Sequence, residues 1–330
     1  MRTRQLGRSG IEVSPVGFGC WPIGGLIIQD GRSVGWGDVD DGESIRAIHL
    51  AIDLGVSLFD TGDVYGRSEE ILGRAFAGCR DQVVIATKFG RTYDRERHTI
   101  TGVDLSRAHL RRALEGSLRR LRTDVVDLYQ LHVGDCPQPA ALELRDELET
   151  LVQQGKIRAY GWSTDDPGNI GLFAEGPHCA AAQIHLNVLE GNRQLVSLCA
   201  ANNLATLLRG PLAMGLLSGK YTAATRLSQQ DVRGAGHDWI ENRFPDGRPD
   251  PTLLTTFTAI RDILTSNGRT PAQGALAWLW ALGENTLPIP GFKGLHQAEE
   301  NAKAMDFGPL TPQQMAEIGR LLTPAGARSG

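Results

Sequence analysis

The segment Phe59-Asp60-Thr61-Gly62-Asp63-Val64-Tyr65-Gly66 ends an apolar run on a carboxylate and places a phenol in the loop that follows. A second run, 83–87, ends in Lys88, and a third, 125–131, ends in His132. Phenol, ammonium, carboxylate and imidazole together make a proton relay. A buried Lys88 ammonium beside the Tyr65 hydroxyl would favour phenolate and lower the tyrosine's pKa, so that the phenol releases its proton near neutral pH. Asp60 paired with Lys88 would keep that ammonium charged and oriented. His132 can hydrogen-bond a carbonyl oxygen, and with Tyr65 it would stabilise charge developing there. Singly, each residue has an ordinary reading: Asp60 a helix cap, Lys88 a solvated rim charge, Tyr65 a packing residue, His132 a loop histidine. Their joint arrival at the ends of three strands favours chemistry.

Elements that bring such residues to one rim are legible in the hydropathy pattern. From residue 16 onward, short apolar or β-branched runs alternate with segments of helical period, as in a parallel sheet with helical crossovers. The runs are 16–19, 57–60, 83–87, 125–131, 157–163, 181–184, 205–209 and 286–289. Eight of them predict a closed (β/α)8 barrel of the TIM type, with residues 1–330 as one domain. Ile45, Ile48 and Ile52 share one helical face, as do Leu144, Leu148 and Leu151. Thr270-Pro271 and Thr311-Pro312 read as N-caps followed by proline at the first helical position. Residues 3–6 and 11–13 flank Gly7-Arg8-Ser9-Gly10, a hairpin expected to close the barrel floor. After the seventh strand, residues 218–251 carry Gly, Pro, Arg and Asp with Trp239 and Phe244 among them and no period. A loop of that length predicts a lid over the bound ligand.

Composition narrows the function classes. A formal net charge of -4 leaves no basic field to hold nucleic acid or an anionic membrane, so a small-molecule substrate is expected. The arginines between 107 and 122 interleave with Leu110, Leu114, Leu118 and Leu121, the spacing of a helix with a solvated basic face. Five cysteines without CxxC pairing read as free thiols of a reducing compartment, and no apolar run reaches the length of a membrane span. A cytoplasmic location is the expectation. GxGxxG, the P-loop, HExxH, GxSxG and paired Cys/His metal spacings are all missing, so no metal is expected. Chemistry must then come from single residues on several strand ends.

Phe59-Asp60-Thr61 through Tyr65-Gly66 with Ser68-Glu69, then Thr87-Lys88 and Leu131-His132, closely resemble the signature segments of the aldo-keto reductase superfamily, including the branch of the potassium-channel β-subunit. The likeness runs from the hairpin to Asn301. It implies NADPH-dependent reduction of an aldehyde or ketone, with Asp60, Tyr65, Lys88 and His132 in the positions of the family's catalytic tetrad. By the same likeness Ser163 and Gln183 hold the nicotinamide carboxamide, with Thr164 where the family has Asn. Arg209 stands where an aromatic usually stacks on the nicotinamide, and a guanidinium plane can also stack. Pro211, Leu212, Ala213 and the stretch from Gly215 to Lys220 resemble the pyrophosphate wrap, with Lys220 a phosphate partner. Gly291, Lys293, Gln297, Glu300 and Asn301 resemble the adenosine 2'-phosphate and adenine contacts, and Lys293 favours NADPH over NADH. Trp21 and Trp36 lie where members gather apolar walls for the substrate, and Trp239 and Phe244 are expected to close the pocket from the lid. Two other readings stand beside this one: an NADPH-binding regulatory subunit with slow turnover, and an aldolase-like barrel with Lys88 as a Schiff-base lysine.

Overall fold

The computed structural model describes residues 3–322. A short hairpin of β1 (Arg4–Gln5) and β2 (Glu12–Val13) precedes the first barrel strand, β3 (Gly17–Gly19). Strands β4 (Ile28–Gln29) and β5 (Arg32–Ser33) leave the barrel; β6 (Leu58–Asp60) and β7 (Val84–Phe89) return to it. A further excursion, β8 (Arg91–Asp94) and β9 (Thr99–Val103), comes before β10 (Val126–Leu131), β11 (Ile157–Ser163), β12 (Cys179–His185), β13 (Ala205–Arg209) and β14 (Thr286–Pro288). The barrel strands lie in the order β3-β6-β7-β10-β11-β12-β13-β14, every pairing parallel. Gly19 N donates to Pro290 O at 3.0 Å, and Gly19 bridges Gly291, so the first strand meets the end of the last and the (β/α)8 cylinder nearly closes.

All eight expected strands are present. Their runs are almost continuously apolar because a parallel sheet is buried on both faces. Alternation then sorts the side chains. Leu58, Ala86, Leu128, Ala159, Ala181, Leu207 and Leu287 point into the cylinder, where Leu6, Ile11 and Val13 of the β1–β2 hairpin pack beneath them as the expected floor. Phe59, Ile85, Tyr129, Tyr160 and Leu208 point outward onto the inner faces of the helices. Removing one large side chain from this outer layer costs about 2–5 kcal/mol. Two residues beyond the apolar inner layer, the same parity brings Asp60, Lys88, Gln130 and Gln183 inward at the C-terminal end, all buried. The expected end of the 83–87 run needs correction: β7 runs through Lys88 to Phe89. An inward charge that finds its partner inside the barrel does not interrupt the ladder.

Helical signals hold as well. Asp41–Asp53 buries Ala47, Ile48 and Ala51, and Asp40 accepts from Glu43 N at 2.7 Å. Gln138–Gln153 buries Leu144, Leu148 and Leu151. Thr270 and Gln273 form a reciprocal capping box ahead of Pro271, and Thr311 with Gln314 repeats the arrangement. Beyond the expected elements, β4, β5, β8 and β9 join in a four-stranded sheet in the order β5-β4-β9-β8. Residues 218–251 fold onto its edge: Val232 N donates to Gly35 O at 2.8 Å, His237 Nε2 lies 2.8 Å from Ser33 O, and Trp36 bridges Asp231. The long loop therefore packs across one side of the barrel mouth.

Candidate active site

Tyr65 reaches the mouth on a loop fixed by close backbone approach. A Cβ on Gly24 would stand 2.2 Å from Tyr65 O, and one on Gly66, which has φ +55, would stand 2.2 Å from Gly24 O. Only glycine tolerates both contacts. Arg67 N donates to Gly24 O at 2.9 Å, and the Ser68 hydroxyl lies 2.8 Å from both Thr61 Oγ1 and Cys20 O. Glu69 accepts from Thr87 Oγ1 at 2.6 Å and pairs with Arg120 at 2.7 Å. Ser68 and Glu69 are thus buried anchors that tie the tyrosine loop to β7 and to the helix Arg107–Leu121.

Beneath the phenol, Lys88 Nζ donates to Asp60 Oδ1 at 2.5 Å and to Thr61 O at 2.7 Å, with its side chain 0% exposed. The other carboxylate oxygen of Asp60 accepts from Gln130 Nε2 at 2.9 Å and Gln183 Nε2 at 2.8 Å. Every oxygen of the buried carboxylate therefore has a donor, the condition under which a buried pair is tolerated. The ammonium lies 4.8 Å from the centroid of the Tyr65 ring, and Tyr65 OH stands 3.4 Å from His132 Nε2. The four expected residues converge at one mouth.

Electrostatics assign their protonation. Burial pulls the Lys88 pKa down, but Asp60 and then Tyr65 outweigh it and the net shift is upward, so Lys88 is an ammonium. His132 is held well below the usual imidazole range, first by burial and then by Lys88, Arg91 and Arg209, so its ring is neutral. For Tyr65 the expected sign is reversed. Lys88 does lower its pKa, yet the protein mass around the phenol and the Asp60 charge prevail, and the net shift is upward. The resting group is a neutral phenol beside a fixed ammonium.

Above them lies a cavity of about 630 Å³. Its wall takes in Tyr65, His132, Trp21, Trp36, Ser163, Thr164, Gln183, Arg209, Pro211, Leu212, Gly215, Lys220, Gly291, Lys293, Gln297, Glu300 and Asn301, as well as Asp60. Lys88 lies behind that wall. Ala213 does too: it is 1% exposed and packs in the core. Trp21 meets Trp36 edge-on at 5.3 Å between ring centroids, and Trp239 comes within 6.5 Å of Trp21, so the long loop does supply one wall. Phe244 does not. It is 1% exposed in the main hydrophobic core, edge-on to Tyr221.

Several expected contacts have local partners. Arg209 pairs with Asp165, and Gln183 donates to Asp60. Gln297 accepts from Lys293 N at 2.8 Å and Asn301 donates to Gly291 O at 3.3 Å, so both side chains fix the backbone of the 291–293 turn. Lys293 Nζ donates to Trp36 O at 2.9 Å across the cavity. Burial, then Arg233, lowers the pKa of Lys220, and Lys293 adds to the effect. Lys220 and Lys293 have no carboxylate ion pair among the described residues, Arg233 beside them is paired with Asp231, and a phosphate there would relieve the two lysines. Ala213 and Met214 at φ 48 and 55, then Gly215 at φ 95, turn the chain along this wall in a backbone conformation that side chains rarely adopt. The donor set and its positive charge fit a phosphorylated dinucleotide.

Sequence reasoning missed Gln130, Asp165, His185, Arg243 and Arg91. Gln130 was accessible to it, being a polar residue at an inward position of β10 two places before His132. The Arg91 Nε contact with His132 O, 3.3 Å, joins residues far apart in the chain and had no local signal.

The Aldo/keto reductase family model matches residues 15–323. An aldo-keto reductase of Bacillus subtilis, YhdN, is 34% identical over 255 residues, 74% of this chain and 72% of its own. The Schizosaccharomyces pombe protein named aldo-keto reductase yakc [NADP(+)] is 30% identical over 92% of this chain and 86% of its own. Among solved structures, a glycerol dehydrogenase from Gluconobacter oxydans superposes with a TM-score of 0.82 at 30% identity, covering 97% of this chain and 94% of that one. Nearly closed barrel, converged ionisable residues and matching sequence across almost the whole chain lead to one assignment: this protein is a member of the aldo/keto reductase family.

Proposed function

We propose that the protein reduces an aldehyde or ketone to an alcohol at the expense of NADPH, with Tyr65 as the proton donor. The observation that carries this reading is the neutral Tyr65 phenol, 3.4 Å from His132 and backed by the fully buried Lys88 ammonium. Bound in the cavity, the reduced nicotinamide supplies the hydride. The chain's own residues do the rest. Tyr65 OH and His132 Nε2 hydrogen-bond the carbonyl oxygen and orient it; as negative charge grows there, Tyr65 gives up its proton to that oxygen. The Lys88 ammonium then stabilises the phenolate left behind, and Asp60, held by Gln130 and Gln183, keeps the ammonium charged throughout. Neutral His132 donates without competing for the proton.

Lys220 and Lys293 would hold the phosphates, with Ser163 and Thr164 at the nicotinamide end. The relative named for NADP(+) supports that cofactor. A Schiff base on Lys88 is disfavoured by the same geometry, because its nitrogen is already committed to two oxygens and does not face the cavity. Among the described residues no helix is long and apolar enough to cross a membrane. The test is consumption of NADPH, followed at 340 nm, against a panel of aldehydes and ketones. Turnover with stoichiometric alcohol is expected; tight NADPH binding without turnover on any carbonyl would support the regulatory-subunit reading instead.

A further inference from the structure

Four arginines line the cavity, and three are neutralised nearby. Arg209 pairs with Asp165, Arg233 with Asp231 at 2.6 Å, and Arg243 with Glu190 at 2.5 Å. Among the described residues Arg91 has no carboxylate partner. It opens β8 directly after β7, its main-chain oxygen lies 3.1 Å from His109 Nε2, and its Nε leans on His132 O at 3.3 Å. Those contacts hold its main chain and one guanidinium nitrogen, Nε, and leave Nη1 and Nη2 without a partner among the described residues. Its nearest functional neighbours are Tyr65 and His132, on both of which its charge acts. Lys88, the other cation there, is spent on Asp60.

The cavity wall also carries a largely apolar stretch, Trp21, Ile27, Val34, Ile100 and Trp239, with the polar Gln29 among them. An unpaired guanidinium at the edge of an apolar wall, beside the groups that hold a carbonyl oxygen, is built to take a planar anion in two parallel hydrogen bonds.

We propose that Arg91 selects carbonyl substrates bearing an anionic group, a carboxylate in the simplest case, joined to the carbonyl through a short apolar or aromatic spacer. This rests on the reductase reading for the position of the carbonyl. Tyr65 and His132 fix one end of such a substrate, the tryptophans flank its spacer, and Arg91 fixes the other end.

The test compares 4-carboxybenzaldehyde with 4-formylbenzamide, which are nearly isosteric and differ in charge. The carboxamide withdraws more electron density and activates its aldehyde more, so a preference for the carboxylate is not electronic. For the native enzyme, kcat/KM should favour the carboxylate by about tenfold to a hundredfold, as expected for hydrogen bonds to a charged group. Arg91→Met should abolish that preference, while Arg91→Lys should keep part of it. Native-like NADPH affinity in both variants shows that they fold. In parallel, benzoate and benzamide are titrated into the NADP+ complex by tryptophan quenching; Arg91→Met should raise the benzoate Kd at least tenfold and leave benzamide within twofold. Turnover of both aldehydes at a ratio unchanged by Arg91→Met overturns the proposal and leaves the reductase reading intact. Arg91-dependent benzoate binding without any turnover sinks the reductase reading and keeps the anion subsite.

Discussion

Replacing Asp60 by Asn should expose how the buried pair works, because it removes one charge and leaves the other where water cannot reach it. Lys88 is 0% exposed, and its ammonium is held by Asp60 at 2.5 Å and one main-chain oxygen. Breaking a buried pair by deleting one partner typically costs about 3–5 kcal/mol. The variant should therefore lose that much stability at pH 7, measured by urea unfolding with tryptophan fluorescence. With Asp60 gone, burial, the largest influence on Lys88, is opposed only by Tyr65, and the Lys88 pKa should fall below the ordinary lysine value. The unfolded chain then binds a proton that the folded one refuses, so the variant should gain stability as pH rises toward 10, by up to about 1.4 kcal/mol per unit. In the native protein the Lys88 pKa is raised instead, so its contribution is complete below the ordinary lysine value and is lost only above it. The gap between the two proteins should accordingly narrow from pH 7 to 10. Adding Lys88→Met should recover part of the loss, because removing both charges leaves no buried charge unpaired. Parallel pH profiles, together with single losses that add to the double within about 0.5 kcal/mol, would refute the reasoning.

Other predictions follow from single contacts. Lys293→Ala should raise the Kd for NADPH by about tenfold to a hundredfold and that for NADH by less than about twofold, since only the former carries the 2'-phosphate; fluorescence titration with both cofactors decides it, and equal shifts would contradict the role. Asp63, buried with one oxygen unpartnered, has its carboxyl pushed up to about 8, first by burial and then by Glu69, against Arg120 and Arg95. Its contribution to stability is full below the ordinary carboxylate range and is lost as pH rises through about 8. Asp63→Asn should therefore gain on the native protein by about 2 kcal/mol or more between pH 5 and 8.5. A difference in unfolding free energy that stays constant over that range would contradict it.

The barrel was legible because a strand buried on both faces must be apolar along its length, and eight such runs have few other ways to assemble. Asp60 and His132 were legible for the same reason, since a charged or polar residue at the end of such a run stands out. That contrast also misleads: it ends the strand before Lys88, whereas pairing with Asp60 lets Lys88 stay inside β7. Strands β4 and β5 are only two residues each, below what periodicity detects, although Asp30-Gly31 at φ 53 and 74 forms the turn that such a dipeptide favours. What the chain could not announce is contact between distant residues. Gln183 reaches Asp60 across 123 positions, and the sign of the Tyr65 shift depends on how much protein surrounds it.

On the proposed function, Tyr65 delivers the proton from a preformed site. Single-turnover oxidation of bound NADPH by a reactive aldehyde, compared between the native enzyme and Tyr65→Phe, addresses it most directly. The phenylalanine variant should bind NADPH with a Kd within about twofold of native, yet transfer hydride about a hundredfold to ten-thousandfold more slowly, the usual reach of a general acid. Hydride transfer at the native rate by a variant lacking the hydroxyl would contradict the account.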